Sequence, residues 1–304
     1  MFIFFFHKYY IMYLVTGGAG FIGSSIVDRL INENEEVHVI DIKKTNVNEK
    51  ANYIQKNILD DFELKGVKTI FHYAAEPDVR KGLTAPYEMY QNNVEGTFKM
   101  LEFARKNDVK NFVFASTSTV YGNAKMPTPE TEECNPISLY GATKLACENL
   151  INSYSNLYGI KSTVLRYANI IGERSDHGVI IDFKNKLKQN PNELEILGNG
   201  QQKKSYLYID DTIEATFTAY KKQTKNYDVF NVGSDESITV NELAELVSNS
   251  LNLKPKFKYT SNELKGWKGD VSLMLLDSSK IKRLGWTPKT NINEAIRKIV
   301  LNIK

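Results

Sequence analysis

The run Val15-Thr16-Gly17-Gly18-Ala19-Gly20-Phe21-Ile22-Gly23 constrains this chain more than any other. It follows a short apolar stretch, Tyr13-Leu14-Val15, that reads as a strand. It precedes residues 24–32, where Ile26, Val27, Leu30 and Ile31 share one face of an amphipathic helix. Gly17, Gly20 and Gly23 stand where that strand turns into that helix. So tight a turn needs residues without a Cβ, and so does a backbone that touches a pyrophosphate. The helix N-terminus beyond it offers free N–H groups and a positive dipole end to phosphates.

Glycines also serve a plain turn between two core elements, so the context decides. A second apolar run, residues 36–40, ends in Asp41, roughly 20 residues past the glycines, as a dinucleotide-binding unit requires. A carboxylate there accepts hydrogen bonds from the adenosine ribose and repels a 2′-phosphate, which favours NAD over NADP. Lys43 and Lys44 follow and can serve a phosphate. A strand-end carboxylate facing water is the plain alternative for Asp41.

With 304 residues the chain can build one large domain or two modest ones. A net charge of +3, spread without a basic block, argues against a nucleic-acid partner. Cys134 and Cys147 fit no metal or redox spacing and suit a reducing cytoplasm. His7, His38, His72 and His177 form no metal-like cluster, and His38 and His72 read as packed strand residues. The apolar run from Phe2 to Phe6 is too short to span a bilayer. His7-Lys8-Tyr9-Tyr10 follows it where a signal peptide wants small residues. Residues 1–11 therefore read as a non-structural extension ahead of Met12, and no membrane association is expected.

Strand-like runs at 13–16, 37–41, 69–73, 111–116 and 163–167 alternate with helical patterns at 24–32, 84–107 and 140–158. The polar stretch 122–136 reads as an active-site loop. Later the alternation weakens: a loop at 191–200, a strand at 206–209, a helix at 211–220, a strand at 229–232 and a helix at 239–251, then a tail with segments at 256–259 and 285–288 and a helix at 293–302. The expectation is an α/β fold: a doubly wound parallel (Rossmann) sheet with a smaller mixed α/β substrate lobe. The dinucleotide-binding domain would span 12–170, with 206–245 returning to it. The lobe would take 171–205 and 246–304.

Two further constellations carry chemistry. In Tyr140-Gly141-Ala142-Thr143-Lys144 the phenol and the ammonium stand four apart, on one helix face. A nearby cation favours phenolate and makes the tyrosine a better base. With 17 tyrosines and many lysines, one such pair is also expected by chance. In residues 112–122 a buried strand runs out into Ser116-Thr117-Ser118-Thr119. Strand C-termini line the ligand crevice of a doubly wound sheet, where a hydroxyl can bond a reacting oxygen. A Ser/Thr turn is the plain alternative.

Together these pieces resemble the extended short-chain dehydrogenase/reductase superfamily, and within it nucleotide-sugar 4-epimerases of the UDP-glucose 4-epimerase type. The resemblance runs from Met12 onward. It includes His72-Tyr73-Ala74-Ala75, residues 92–97, Leu165-Arg166-Tyr167-Ala168-Asn169, Gly198-Asn199-Gly200, Asn231-Val232-Gly233 and Gly285-Trp286. It implies an NAD-dependent 4-epimerisation of a UDP-hexose, plain or N-acetylated. Tyr140 would be the acid/base, Lys144 its partner, and Thr117 the hydroxyl that meets the sugar O4. Gly17, Gly20, Phe21, Ile22, Gly23 and Asp41 would hold the cofactor, joined by Asn57, Ile58, Ala74, Ala75, Asn93, Ser116, Tyr140 and Lys144. Asn169 and Lys204 would meet the substrate diphosphate.

The chain departs from the family pattern in places. Asn57 replaces an adenine-binding Asp, Lys204 replaces an Arg and loses its bidentate fork, and a second basic contact is expected near 267–270. Related 4,6-dehydratases place Asp-Glu directly after the catalytic Thr, and decarboxylating relatives keep the Glu. Here Ser118 and Thr119 stand there. Epimerisation needs no such acid, so their presence favours the epimerase over a dehydratase or decarboxylase, with a 4-ketoreductase on another nucleotide sugar as a further alternative. A dinucleotide-binding sensor without chemistry would be expected to lose Tyr140 or Lys144. The resemblance also implies a homodimer through the helices holding 92–107 and 140–158, although their apolar faces equally fit sheet-facing core.

Overall fold

The computed structural model describes residues 11–264, 271 and 273–302. Residues 1–10 and 267–270, on which two expectations above fall, lie outside them. Seven strands form the central sheet: β1 (Met12–Thr16), β2 (Glu36–Asp41), β3 (Asn52–Gln55), β4 (Val67–His72), β5 (Asn111–Thr117), β6 (Lys161–Tyr167) and β11 (Tyr227–Val232). Their order is β11-β6-β5-β4-β1-β2-β3, and every pairing is parallel. The order reverses between β1 and β4, so the crevice outside their carboxyl ends is the ligand-binding position of this topology.

Parallel strands are buried on both faces, which is why β1 reads as an unbroken apolar run. Tyr13 and Val15 face one layer with Ile26, Val27 and Leu30 of α1 (Phe21–Asn32) and Phe217 of α7 (Ile209–Lys222). Leu14 faces the other layer with Met100 and Leu101 of α4 (Gly96–Lys106) and Ile151 of α5 (Leu139–Tyr158). Ser138 caps α5 by accepting from the Gly141 N–H at 3.1 Å, and Gly159 ends it in the left-handed region at φ +68°.

The long helical pattern at 84–107 is broken. It comprises α2 (Lys81–Thr84), α3 (Pro86–Tyr90), a π turn (Gln91–Glu95) and α4. Pro86 starts α3 because a helix's first position needs no N–H. The π turn carries Asn93, whose buried side chain is held by a loop outside the helix.

The smaller lobe is more regular than its sequence suggests. Residues 191–200, expected as loop, contain β8 (Glu193–Ile196), paired in parallel with β13 (Lys256–Tyr259). Four residues are too short to show a period. The pattern reading also missed β3, which lies at the sheet edge, and α6 (Val179–Gln189). Further short strands are β7 (Asn169–Ile171) with β10 (Tyr206–Tyr208), and β9 (Lys203–Lys204) between β12 (Ile238–Thr239) and β14 (Leu273–Met274). The return to the main sheet is made by α7 and β11. Residues 240–245, assigned to that return from sequence, instead open α8 (Val240–Ser250), which packs on α6 and α10 (Ile292–Asn302). In the other direction α9 (Ser279–Lys282) packs on β11.

Candidate active site

The glycine turn sits at the carboxyl end of β1. Gly17 has φ +67°, and a Cβ there would lie 2.6 Å from the Ala74 nitrogen. A Cβ on Gly23 would lie 2.1 Å from the Gly17 carbonyl oxygen. These two glycines let the turn fold onto itself and onto the segment after β4. Gly20 differs: a Cβ there would meet only the Gly17 oxygen, at 3.2 Å. It caps α1 with extended backbone and no side-chain cap. The first N–H groups of α1, those of Phe21, Ile22 and Gly23, have no acceptor within the helix. The missing side chain at Gly20 and these donors form a cradle suited to a pyrophosphate.

Asp41 ends β2 beside this turn. Its carboxylate accepts from the Ala19 and Lys43 N–H groups, each at 3.0 Å. Each oxygen retains a lone pair for a ribose hydroxyl. Asn57 is placed differently from expectation: its amide oxygen accepts from the Leu59 N–H at 3.0 Å, in a local turn closed by Asp60. That bond competes with an adenine amine for the oxygen. Ile58 is buried in the core against Gly96.

The segment after β4 brings Ala74 and Ala75 past the turn, where the Ala74 N–H donates to Thr16 Oγ1 at 3.3 Å. Behind it His72 lies buried between Thr16 (2.6 Å) and Thr97 (3.0 Å). Burial, helped by the charge of Lys144, brings its pKa down to about 3, so it is a neutral packed histidine. Asn93 accepts from the Glu76 N–H at 2.8 Å and donates to Thr143 Oγ1 at 3.0 Å. It thereby clamps the segment after β4 to α5; its side chain serves the scaffold.

Thr117, Tyr140 and Lys144 converge at the carboxyl end of β5. The Thr117 hydroxyl, bonded to the Thr119 hydroxyl and N–H at 3.1 Å each, lies near enough to the Tyr140 phenol to favour its ionised form, although the two are 23 positions apart. Lys144 is buried, donates to the Ala115 carbonyl at 3.0 Å, and stands 5.9 Å from the Tyr140 ring centroid. Burial lowers its pKa to about 8, opposed by the negative ends of Cys147 and Glu148. The phenol departs from expectation. Burial raises its pKa, as do Cys147 and Glu76, and the nearby Thr117 hydroxyl only partly opposes this. The ammonium is near enough to assist, but the cost of burying a phenolate exceeds its help.

Ser116 also departs from expectation. It points the other way from Thr117 along the strand, and its hydroxyl donates to the buried carboxylate of Glu148. Asn169 and Lys204 lie on the small sheets beside the site. Asn169 donates to the Ser205 carbonyl at 3.1 Å, and Lys204 pairs with Ile238 and Met274. Sequence reading missed Glu76, whose charge reaches Tyr140, and Arg174, which bonds Ser24 (3.0 Å) and Asp28 (2.6 Å) on α1. It also missed Glu148, although a carboxylate one turn beyond Lys144 on a buried helix face was a legible signal. Among the described residues no cluster could hold a metal ion, and no helix is long and apolar enough to cross a membrane.

Comparison with known proteins agrees with this geometry. Residues 13–233 match the NAD dependent epimerase/dehydratase family. The UDP-glucose 4-epimerase of Thermotoga maritima, solved with UDP-glucose, superposes with a TM-score of 0.90 at 35% identity, over 96% of this chain and 98% of that one. The UDP-glucose 4-epimerase of Thermus thermophilus, solved with NAD, gives 0.86 at 30% identity, over 96% and 98%. The UDP-glucuronate 4-epimerase of Thermodesulfobacterium geofontis is 31% identical over 313 residues, 95% of this chain and 94% of its own. A glycine cradle at the switch point of a parallel sheet, a matched family and relatives covering 95–96% of its length place this chain in the NAD-dependent epimerase/dehydratase family of the extended short-chain dehydrogenases/reductases.

Proposed function

We propose that the protein interconverts UDP-hexoses at C4, with NAD held at the glycine turn. The observation that carries this reading is the meeting of Thr117 and Tyr140 above Lys144, beside the cradle, with hydroxyls and no acid at 118 and 119. Bound NAD supplies a reversible hydride acceptor. The Gly20 cradle and α1 N-terminus would hold its pyrophosphate, and Asp41 its ribose. Thr117 donates to or accepts from the sugar O4 and aligns it with the Tyr140 oxygen. Tyr140 takes the O4 proton as C4 is oxidised and returns it once the sugar has turned over. Lys144 supplies positive charge beneath the phenol, the group that burial otherwise holds protonated. Asn169 and Lys204 would steady the diphosphate, and the small lobe would enclose the hexose.

The relatives' names divide between glucose and glucuronate. We infer a neutral hexose, because Glu76 places a carboxylate near Tyr140 and the Lys81 ammonium that could serve a uronate is already paired with it at 2.6 Å. Exposed Tyr87, Tyr90, Phe98, Leu157 and Tyr158 on α3–α5 support a homodimer through those helices.

The test is to incubate the protein, without added cofactor, with UDP-glucose, UDP-galactose, their N-acetyl forms and UDP-glucuronate separately, reading anomeric protons by NMR. Interconversion at C4 that Tyr140→Phe abolishes is the expected result. A stable keto or shortened product would assign a sister reaction instead. No turnover in any tube, even with NAD supplied, would reject the epimerase.

A further inference from the structure

A buried ion pair lies directly behind the reacting groups. Glu148 of α5 and Arg166 of β6 are 2% and 7% exposed at their side chains. Arg166 grips the carboxylate with Nη2 at 2.6 Å from Oε2 and Nε at 3.0 Å from Oε1. Ser116, opposite Arg166 in the β5–β6 register, donates to the same carboxylate. The remaining arm of Arg166 donates to the Tyr121 hydroxyl at 2.8 Å, and Tyr121 donates to Asn231 on β11 at 2.8 Å.

Burying an ion pair is costly, and apolar replacements of equal volume are often as stable. Its position offers a reason for it. Glu148 stands four residues past Lys144 and eight past Tyr140, on the same helical face. Ser116 immediately precedes Thr117, and Tyr121 closes the short helix that follows it. We propose that Glu148, acting through Arg166 and Ser116, is a positioning residue that fixes α5, and with it Tyr140 and Lys144, against the strand end carrying Thr117. The proposal rests on the epimerase reading for its kinetics but not for its geometry.

A second consequence concerns charge. The groups facing Lys144 are Tyr140, Cys147 and Glu148 from α5 and neutral His72 from β4, with the Ala115 carbonyl and Phe114 ring from β5. Glu148 favours the ammonium, so removing its charge moves Lys144 towards the free amine at lower pH.

The test compares the wild type, Glu148→Gln, and Glu148→Gln combined with Arg166→Gln, which leaves no buried charge unpaired if the single variant fails to fold. In the double variant kcat should fall roughly 30–100-fold with KM within about threefold, as expected for misplacement near 1 Å. In Glu148→Gln, which keeps the Arg166 charge, the alkaline activity limb should move to lower pH. Glu148→Asp with Arg166 intact should recover part of the loss. The Lys144 ε-nitrogen of Glu148→Gln, followed by 15N NMR, should titrate at lower pH than in the wild type. Unchanged kcat in a folded double variant, or an unchanged limb and Lys144 titration in a folded Glu148→Gln variant, would overturn the proposal. If the wild type epimerises nothing, the epimerase reading fails; the Lys144 titration and a crystal structure showing whether Thr117 and Tyr140 still meet then decide the positioning role.

Discussion

The glycine turn makes a prediction that separates folding from cofactor binding. In Gly23→Ala the new methyl would lie 2.1 Å from the Gly17 oxygen and 2.8 Å from its carbonyl carbon. Ordinary contact begins near 3.4 Å, so backbone must give by more than 1 Å. Overpacking of this kind costs about 1–3 kcal/mol, and a backbone obstacle places it near 3. For the sheet domain, about 200 residues, this lowers Tm by roughly 6–12 °C. In Gly20→Ala the nearest atom is 3.2 Å away, and φ −78° with ψ −178° suits alanine. The loss of a glycine N-cap costs about 0.5–1 kcal/mol, or roughly 1–4 °C. Yet its methyl enters the space we assign to the pyrophosphate, so NAD should bind at least about tenfold more weakly, about 1.4 kcal/mol. Thermal melts and the dinucleotide released on denaturation measure both. Gly20→Ala retaining NAD like the wild type would refute the cradle. Gly23→Ala melting within 2 °C of the wild type, a limit of about one kcal/mol at most, would refute the packing argument.

Other perturbations follow from single contacts. His72 binds a proton only near pH 3 when folded, whereas the unfolded chain binds one near 6.5. Its contribution to stability should be level above that pH and fall by about 1.4 kcal/mol per unit below it. His72→Gln, measured by urea melts from pH 7 to 4, should flatten that decline; an equally steep decline would refute the assignment. Gly159→Ala should cost about 1 kcal/mol by urea melts because φ +68° is strained for alanine, although no atom obstructs its Cβ. Gly159→Asn should cost less, and equal loss in both would point to something other than φ. Asp41→Ser should narrow the preference for NAD over NADP at least about tenfold in titrations, since the repelling charge is gone; an unchanged ratio would place the ribose elsewhere.

The strand–glycine–helix unit, Asp41, the hydroxyl run and the Tyr140/Lys144 spacing were legible because each depends on local pattern: a period, a turn without side chains, or one helix face. The sequence by itself determined the parallel sheet, since unbroken apolar runs alternating with amphipathic helices have few other ways to bury their faces. It could not determine what each polar side chain would bond. Ser116 and Thr117 are neighbours of like chemistry, and only strand alternation sends one to Glu148 and the other to Tyr140. The Asn57 oxygen is held by a turn that its own neighbours close. The phenol of Tyr140 carries the cost of burial and the influence of groups from three segments, Cys147 on α5, Thr117 on β5 and Glu76 after β4, which no spacing records. The Glu148–Arg166 pair joins residues 18 positions apart, and its strength comes from their shared exclusion from water. Short-range pattern sets the elements; desolvation and hydrogen-bond competition, which exist only once those elements pack, set the site.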